Sequence, residues 1–343
     1  MQELTFVEPG RLDWRESDPP RLDAPEQAIV SPLAIATCDL DRAMIEGASP
    51  FEGPFTLGHE MIGEVVDVGD AVGLVGPRDR VAVPFQISCG ECEYCRRDLT
   101  SNCKVGGMYG IGPAGGDFGG AFAERVRVPF ADAMLVPLPK GIDPLVAASA
   151  PDNISDAWRA VVPPLESRPG GKVLILAGPG ANSIPLYAVQ IARAAGAGAV
   201  EVLTRNEQVA PQAERLGAEV ALVEEWPDAH GRFDVVVENA NERQGLGCAL
   251  RSTRTGGHCT VTSLHAAGEA QIPIFEMYLR TITLAAGRAN SRTTLPPVLE
   301  LIADGSIDPA LVTSETASWD EAPEALLGYT TKLIVDCAAP LGG

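Results

Sequence analysis

Residues 173–183 read Val-Leu-Ile-Leu-Ala-Gly-Pro-Gly-Ala-Asn-Ser, and this stretch decides the fold of the second half of the chain. Its first five residues form a continuous apolar run, which is typical of a strand buried on both faces of a parallel sheet. An amphipathic segment follows at 185–195, and further strands are predicted at 199–203, 218–223 and 233–238. Strands and helices that alternate in this way predict an α/β fold with a doubly wound parallel sheet.

The turn after the first of these strands has the glycine spacing of a dinucleotide-binding site. The first glycine permits a tight turn, and the second lets the backbone approach a pyrophosphate. The following helix offers unpaired N–H groups and the positive end of its dipole to that anion. A small serine replaces the third glycine of the fingerprint, so helix and strand can still pack closely. We therefore predict cofactor contacts from Gly178, Gly180, Ala181, Asn182 and Ser183.

The end of the second predicted strand bears on which nicotinamide cofactor is used. An NAD site normally has Asp or Glu there to accept hydrogen bonds from the ribose 2′-hydroxyl. This chain has Leu-Thr-Arg-Asn at 203–206, without an acid. Thr204 and Arg205 could instead receive a 2′-phosphate through a hydroxyl and a guanidinium. We favour NADP, and NAD remains the alternative if Arg205 is only an exposed arginine.

Four closely spaced cysteines predict a metal site in the first half of the chain. Cys89, Cys92, Cys95 and Cys103 have the spacing C-x2-C-x2-C-x7-C. Four thiolates can surround one tetrahedral Zn²⁺ at about 2.3 Å and leave no open position, so such a site stabilises structure. The alternatives are unrelated cysteines or two disulfides.

Length and composition limit the class of protein. A chain of 343 residues with 45% hydrophobic residues is long enough for two domains. The net charge of −20 argues against nucleic acid or an anionic membrane as a partner. No apolar run approaches the roughly 20 residues that span a bilayer, and we recognise no signal peptide. The cysteine pattern indicates metal sites and buried thiols, so we expect a soluble, cytoplasmic protein.

The region before about residue 155 differs from the parallel-sheet pattern. Short β-rich runs such as 61–68 and 80–85 are separated by Gly, Pro and Asp, which predicts a small, irregular β-domain. This region also contains Cys38 and His59, and Asp152 lies at its end. A thiolate, an imidazole and a carboxylate would hold Zn²⁺ with a fourth position open for substrate. Each also has a structural explanation: a buried thiol, a core histidine and a helix N-cap.

The segment 58–69 reads Gly-His-Glu-Met-Ile-Gly-Glu-Val-Val-Asp-Val-Gly, and it resembles the zinc signature of a known family. That family comprises the zinc-dependent alcohol dehydrogenases of the medium-chain dehydrogenase/reductase superfamily. The four-cysteine loop, the dinucleotide turn and the closing Lys-Leu-Ile-Val at 332–335 occur in the family's order, so the resemblance covers essentially the whole chain. It implies a GroES-like β-domain from residues 1–154 and 289–343, with a Rossmann domain at 155–288 between them.

The resemblance also implies roles for individual residues and two zinc ions per chain. Cys38, His59 and Asp152 are implied as ligands of a catalytic zinc, beside the structural zinc of the cysteine loop. Glu60 is similar to a glutamate that can enter the zinc shell, and Asp41 to a carboxylate that orients the histidine. The implied reaction interconverts an alcohol and its aldehyde or ketone, with hydride transfer to or from the nicotinamide.

Other positions either match or depart from the family pattern. Phe85 matches a position that commonly lines the substrate pocket, and Trp158 matches one where an aromatic side chain often lies close to the site. Leu40 replaces the Ser or Thr that starts a proton relay, so the relay must run through Glu60, Asp156 or water, or the substrate is not a simple alcohol. Asp156 could also select a polar or cationic substrate or merely cap a helix.

Two rival functions remain open from the sequence. The first is a reductase of the same fold that acts on an activated C=C bond or an imine. The second is a protein that binds metal and nucleotide without turnover. The resemblance further implies a homodimer or homotetramer, for which the apolar stretch 259–264 is a candidate interface.

Overall fold

The computed structural model describes residues 1–116, 118–265, 268–328 and 330–337. The chain divides into two compact units, and each is formed by segments that are distant in the sequence. The first unit comprises Met1–Ser155, Ala289–Gly305 and Thr313–Gly343. The second comprises Asp156–Arg288 and Ser306–Val312.

Sixteen strands occur in the described residues. They are β1 (Gln2–Glu8), β2 (Arg11–Glu16), β3 (Ala28–Ala36), β4 (Phe55–Thr56), β5 (Glu60–Val68), β6 (Arg80–Val83), β7 (Val126–Val128), β8 (Val136–Pro137), β9 (Lys172–Ala177), β10 (Ala199–Thr204), β11 (Glu219–Leu222), β12 (Phe233–Asn239), β13 (Thr253–Val261), β14 (Thr283–Ala286), β15 (Glu315–Ser318) and β16 (Leu333–Asp336).

Ten α-helices occur in the same part of the chain. They are α1 (Asp39–Ile45), α2 (Ala131–Met134), α3 (Pro144–Ala147), α4 (Ser155–Glu166), α5 (Ser183–Ala194), α6 (Ala210–Arg215), α7 (Arg243–Ser252), α8 (Ile274–Arg280), α9 (Ser291–Ala303) and α10 (Ala322–Ala325). None of the described helices is long and apolar enough to cross a membrane.

The first unit is built on two β-sheets. A small sheet has the order β2-β1-β4, and a larger one has the order β15-β16-β3-β5-β6-β8, with β7 also paired to β3. The predicted β-runs are confirmed as β5 and β6. Strands β3 and β5 approach closely at Gly63, where an added Cβ would lie 2.3 Å from the Val30 side chain. Strand β16 pairs with β3, so the end of the chain completes the sheet that begins near residue 28.

The second unit is a single parallel sheet of six strands in the order β11-β10-β9-β12-β13-β14. The apolar run of β9 is fully buried after its first residue, as the continuous hydrophobic pattern predicts. All four strands expected in this region are present, and the predicted helix is α5. The strand order reverses between β9 and β12, and ligands of doubly wound sheets bind at the carboxyl edge at such a point.

Candidate metal and cofactor sites

Cys38 lies between β3 and α1 and forms the N-cap of that helix. Its Sγ accepts a hydrogen bond from the Leu40 N–H (3.2 Å), and its own N–H donates to Asp41 Oδ2 (2.9 Å). This reciprocal capping box fixes the start of α1. The thiol is buried, and burial raises the pKa of Cys38 to about 12. A nearby cation is therefore needed for the thiolate to form at neutral pH.

His59 immediately precedes β5 and contacts two of the other predicted ligands. Its Nε2 lies 3.1 Å from Cys38 Sγ and 3.4 Å from Asp152 Oδ2. On the other side of the ring, Nδ1 faces Asp41 Oδ1 at 3.4 Å, and Asp41 is fully buried. The carboxylate thus holds the imidazole with Nε2 towards Cys38 and Asp152. In metal sites, a carboxylate beside the non-ligating nitrogen of a histidine commonly fixes the orientation of its ring.

Asp152 comes from a single π-helical turn, Ala150–Ile154, that leads into α4. The donor atoms of Cys38, His59, Glu60 and Asp152 all lie within 4.8 Å of one another. One sulfur, one imidazole nitrogen and carboxylate oxygens are the donor types that zinc takes in catalytic sites. The residues present therefore fit a zinc ion, and the structure brings together the three predicted ligands with Glu60.

A fully buried lysine, which the sequence reasoning missed as a site residue, lies beside this cluster. Lys332 Nζ contacts both carboxylate oxygens of Glu60 (2.9 and 3.0 Å) and Asn153 Oδ1 (2.7 Å). It also donates to the Thr37 carbonyl. Burial raises the pKa of Glu60 to about 8, and the Lys332 ammonium opposes that shift. The one sequence signal for this lysine was its place next to the apolar strand β16.

Asn153 joins this ion pair to the metal ligands. Its Nδ2 donates to Asp152 Oδ2 (3.0 Å), while its Oδ1 accepts from Lys332. The amide therefore fixes the orientation of one predicted ligand and the position of the ammonium at the same time. Lys332 pairs with Glu60 and holds its carboxylate close to the three predicted ligands, where it could serve as a further metal ligand.

The four clustered cysteines form the second group that could hold a metal. Their sulfur atoms lie within 4.8 Å of one another, on a segment with short 3₁₀ turns at Cys95–Arg97 and Thr100–Asn102. All eight cysteines are free thiols, so the alternative of two disulfides is wrong. Backbone N–H groups, foremost that of Cys95, lower the pKa of Cys92 to about 6. Four preformed sulfur donors fit a structural zinc.

The dinucleotide turn has the backbone that its glycines predict. An added Cβ on Gly178 would lie 2.0 Å from the Ala240 carbonyl oxygen, so only glycine fits against this loop. Gly180 has φ +128° and Asn182 φ +61°. The Asn182 side chain donates to the carbonyls of Gly178 and Gly180, which fixes the turn. Ser183 is fully buried as the first residue of α5, as expected of a substitute for the third glycine.

The two residues predicted to receive a 2′-phosphate differ in their surroundings. Thr204 is fully buried, and its hydroxyl donates to the Ala177 carbonyl at 2.9 Å. The hydroxyl is thus used by the protein backbone, which argues against the phosphate contact predicted for it. Arg205 is partly exposed, and its Nη1 contacts both carboxylate oxygens of Glu242 at 2.9 and 2.7 Å.

Comparison with known proteins places the chain in a family. Residues 24–140 match the profile of the alcohol dehydrogenase GroES-like domain, and residues 183–304 match the zinc-binding dehydrogenase profile. A probable zinc-binding alcohol dehydrogenase of Mycobacterium tuberculosis is 30% identical over 91% of this chain and 80% of the relative. The chain belongs to the zinc-dependent alcohol dehydrogenases of the medium-chain dehydrogenase/reductase superfamily.

Solved structures agree with this family membership. An alcohol dehydrogenase from Thermus sp. ATN1 superposes with a TM-score of 0.89 at 30% identity, covering 98% of this chain and 99% of that one. A zinc-binding dehydrogenase from Sinorhizobium meliloti, whose structure holds NADP, has a TM-score of 0.82 at 27% identity, with coverages of 98% and 99%. The fold predicted for the dehydrogenase, a GroES-like β-domain with a Rossmann domain, is confirmed.

Four other residues of the dehydrogenase were predicted to affect the substrate pocket or the proton relay, and their surroundings differ. The Phe85 ring lies 5.6 Å from the His59 ring, so it flanks the metal cluster. Leu40 is partly buried and contributes only its backbone N–H, to Cys38. Asp156 is buried and paired with Arg159 at 2.5 Å, so it offers no free negative charge to a cationic substrate. Trp158 lies on α4 and is partly buried.

We predict that Cys92→Ser reduces the zinc content by one ion per chain and lowers thermal stability. A loss of about 2 kcal/mol corresponds to a fall of about 3 °C in Tm for a chain of 343 residues. Metal analysis and calorimetry check both quantities. Cys248→Ser is the control, since this buried cysteine lies outside both clusters and its replacement should leave the zinc content unchanged. An unaltered Tm with full zinc content in Cys92→Ser would contradict the structural site.

Proposed function

We propose that the enzyme interconverts an alcohol and its aldehyde or ketone at a zinc held by Cys38, His59 and Asp152, with NADP(H) as the hydride carrier. The observation that supports this most directly is the convergence of sulfur, nitrogen and oxygen donors within 4.8 Å. Two anionic ligands and one neutral ligand match the charge of Zn²⁺ and leave a fourth position for the substrate oxygen.

The protein's own residues prepare this site. When bound, zinc supplies Lewis-acid chemistry that polarises the substrate oxygen. The Asp41 carboxylate lies 3.4 Å from Nδ1 of His59, and its negative charge favours the ring orientation in which Nε2 faces the other ligands. Lys332 neutralises Glu60, so the site does not carry a third unpaired negative charge beside Cys38 and Asp152.

The proton released by an alcohol substrate must reach solvent by a route that does not include residue 40, because the Leu40 side chain cannot transfer a proton. Of the groups that the sequence offered, Asp156 is paired with Arg159 and Glu60 is paired with Lys332. Both charges are already balanced by a partner, which favours water as the proton carrier. Because Leu40 lacks a hydroxyl, reduction of a C=C bond or an imine stays the second candidate, and a substrate screen should include both.

We predict that Cys38→Ser lowers turnover about 10³-fold or more, since the Lewis acid supplies several kcal/mol of transition-state stabilisation. Zinc content should fall from two ions to one per chain while Tm changes little, because the structural site is untouched. Cys248→Ser should retain both ions and full turnover. Near-normal activity of Cys38→Ser, or one zinc in both proteins, would contradict the catalytic zinc.

The choice of NADP over NAD rests on Arg205 and on the missing acid after β10. Arg205 is paired with Glu242, which lies at the N-cap of α7. A 2′-phosphate carries more negative charge than one carboxylate and can compete with it for the guanidinium. The NADP in the Sinorhizobium meliloti dehydrogenase supports this choice by similarity.

We predict that Arg205→Ala weakens NADPH binding about tenfold while it weakens NADH binding much less, as expected from loss of a charge-assisted hydrogen bond. Glu242→Gln should act in the opposite direction, because it releases the guanidinium for the phosphate. Nicotinamide fluorescence titrations measure both affinities. The exposed Arg232 provides the control Arg232→Ala. Equal losses for NADPH and NADH would rule out this role of Arg205.

We further propose that the enzyme is a homodimer or homotetramer that uses the apolar surface of α8. Ile274, Phe275, Tyr278 and Leu279 are 62–79% exposed on this helix, and Leu264 is 70% exposed. Strand β14 ends the sheet order and presents an open edge in the same unit. Monomers rarely expose such an apolar patch or sheet edge, and a second copy can cover both. The patch includes Leu264 but not the buried Cys259, so the interface predicted at 259–264 shifts towards α8.

We predict that the double variant Phe275→Glu, Tyr278→Glu has half the wild-type mass in solution, because two charges per copy would face each other in the interface. Light scattering gives the mass, with one chain at 36.0 kDa. Leu311→Glu is the control, since Leu311 is 57% exposed and lies outside α8. A monomeric wild-type protein, or an unchanged mass in the double variant, would exclude this interface.

A further inference from the structure

A buried carboxylate lies at the carboxyl edge of the parallel sheet, where none of the roles described so far uses it. Glu238, near the end of β12, is 0% exposed. Its Oε1 accepts from the Ala240 N–H (2.9 Å), and its Oε2 accepts from Ser263 Oγ (2.8 Å). The third partner is His265, whose Nε2 lies 2.9 Å from Oε2. A carboxylate buried this deeply is stable only with such partners.

His265 is held in an unusual position by these contacts. It has φ +43°, a conformation that is uncommon for a residue other than glycine and that is enriched at functional sites. Its N–H donates to Asn241 Oδ1 (3.2 Å), and 17% of its side chain remains exposed. The hydrogen bond to Glu238 raises the pKa of His265, against the opposing effect of burial. The imidazole is therefore more readily cationic than a free histidine, and as a cation it can donate from Nδ1 while Nε2 donates to Glu238.

The sheet order shows which half of a dinucleotide this pair faces. A doubly wound sheet binds one mononucleotide on each side of the point where its strand order reverses. Strands β9, β10 and β11 lie on the side of the phosphate turn and Arg205, which we assign to the adenosine phosphate. Strands β12, β13 and β14 lie on the other side. The Gly178 N–H donates to the Asn239 carbonyl (3.1 Å), so the loop after Glu238 touches the phosphate turn directly.

We propose that His265, held by Glu238, binds the nicotinamide mononucleotide half of the cofactor by donating a hydrogen bond to one of its oxygen atoms. This inference rests on the proposed use of a nicotinamide dinucleotide and adds a specific contact to it. The competing explanation is that the pair only ties down the loop after β13. The two explanations differ in which ligands a substitution affects.

The test compares the whole cofactor with a fragment that lacks the nicotinamide half. In His265→Ala, the Kd of NADPH and NADH should rise about tenfold or more, as expected for a lost hydrogen bond from a charged group. The Kd of ADP-ribose and of its 2′-phosphate should stay unchanged. Nicotinamide fluorescence and calorimetry measure these constants without any need for turnover or bound zinc. His265→Gln retains a donor and should recover part of the affinity.

His230→Ala is the matched control. It breaks a different histidine–glutamate pair of the same unit, that with Glu201, so NADPH and NADH binding should stay close to wild type. If His265→Ala binds NADPH and NADH as the wild type does, the inference is wrong and the proposed function stands. If it weakens ADP-ribose equally, the pair only ties down the loop, and the inference is again wrong. If the wild-type protein binds neither nicotinamide dinucleotide, the proposed cofactor use fails, and this inference fails with it.

Discussion

The first unit, which contains both candidate metal sites, depends on the contacts that the buried Lys332 ammonium makes with three other segments. A lysine without solvent would be strongly destabilising if it were unpaired. Here Glu60, Asn153 and the Thr37 carbonyl accept from Nζ, so its charge and donors are satisfied only when all these segments are in place. Glu60 is adjacent to His59 in the chain, and Asn153 is adjacent to Asp152. The lysine therefore fixes two of the three predicted zinc ligands through their sequence neighbours.

The two candidate metal sites differ in how much of the fold they need. The four cysteines of the structural site lie within fifteen residues, and local turns bring them together. The proposed catalytic site joins Cys38, His59 and Asp152, which come from three segments that the β3–β5 pairing and the π-helical turn hold together. Cys38 becomes a thiolate at neutral pH only when a cation binds there. A metal ion is thus expected to stabilise the local loop at the four cysteines, whereas strand pairing and the π-helical turn already hold the segments of the other site in place.

This difference explains what the sequence could and could not predict. The parallel sheet and the cysteine loop follow from local patterns, namely continuous apolar strands and regular spacing. The predicted catalytic ligands are distant in sequence, so the resemblance had to supply them. Lys332 went unnoticed because a charge beside an apolar strand is normally solvated, and its partners lie up to 295 residues away. The burial of Thr204 and the pairing of Arg205 with Glu242 depend on side-chain orientation and on a distant helix start, which strand periodicity does not encode.

The segment 238–242 connects the two sides of the predicted cofactor site. Glu238 at its beginning pairs with His265 after β13, and Glu242 at its end pairs with Arg205 after β10. One short segment at the end of β12 thus supplies an acidic partner to a basic residue on each side of the strand-order reversal. The two pairs differ in the exposure of their carboxylates, because Glu238 is fully buried whereas Glu242 is one-third exposed. A phosphate can displace the exposed carboxylate from Arg205, but the buried carboxylate has three donors and stays with His265. The same segment can therefore hold one basic group permanently and release the other to an anionic ligand.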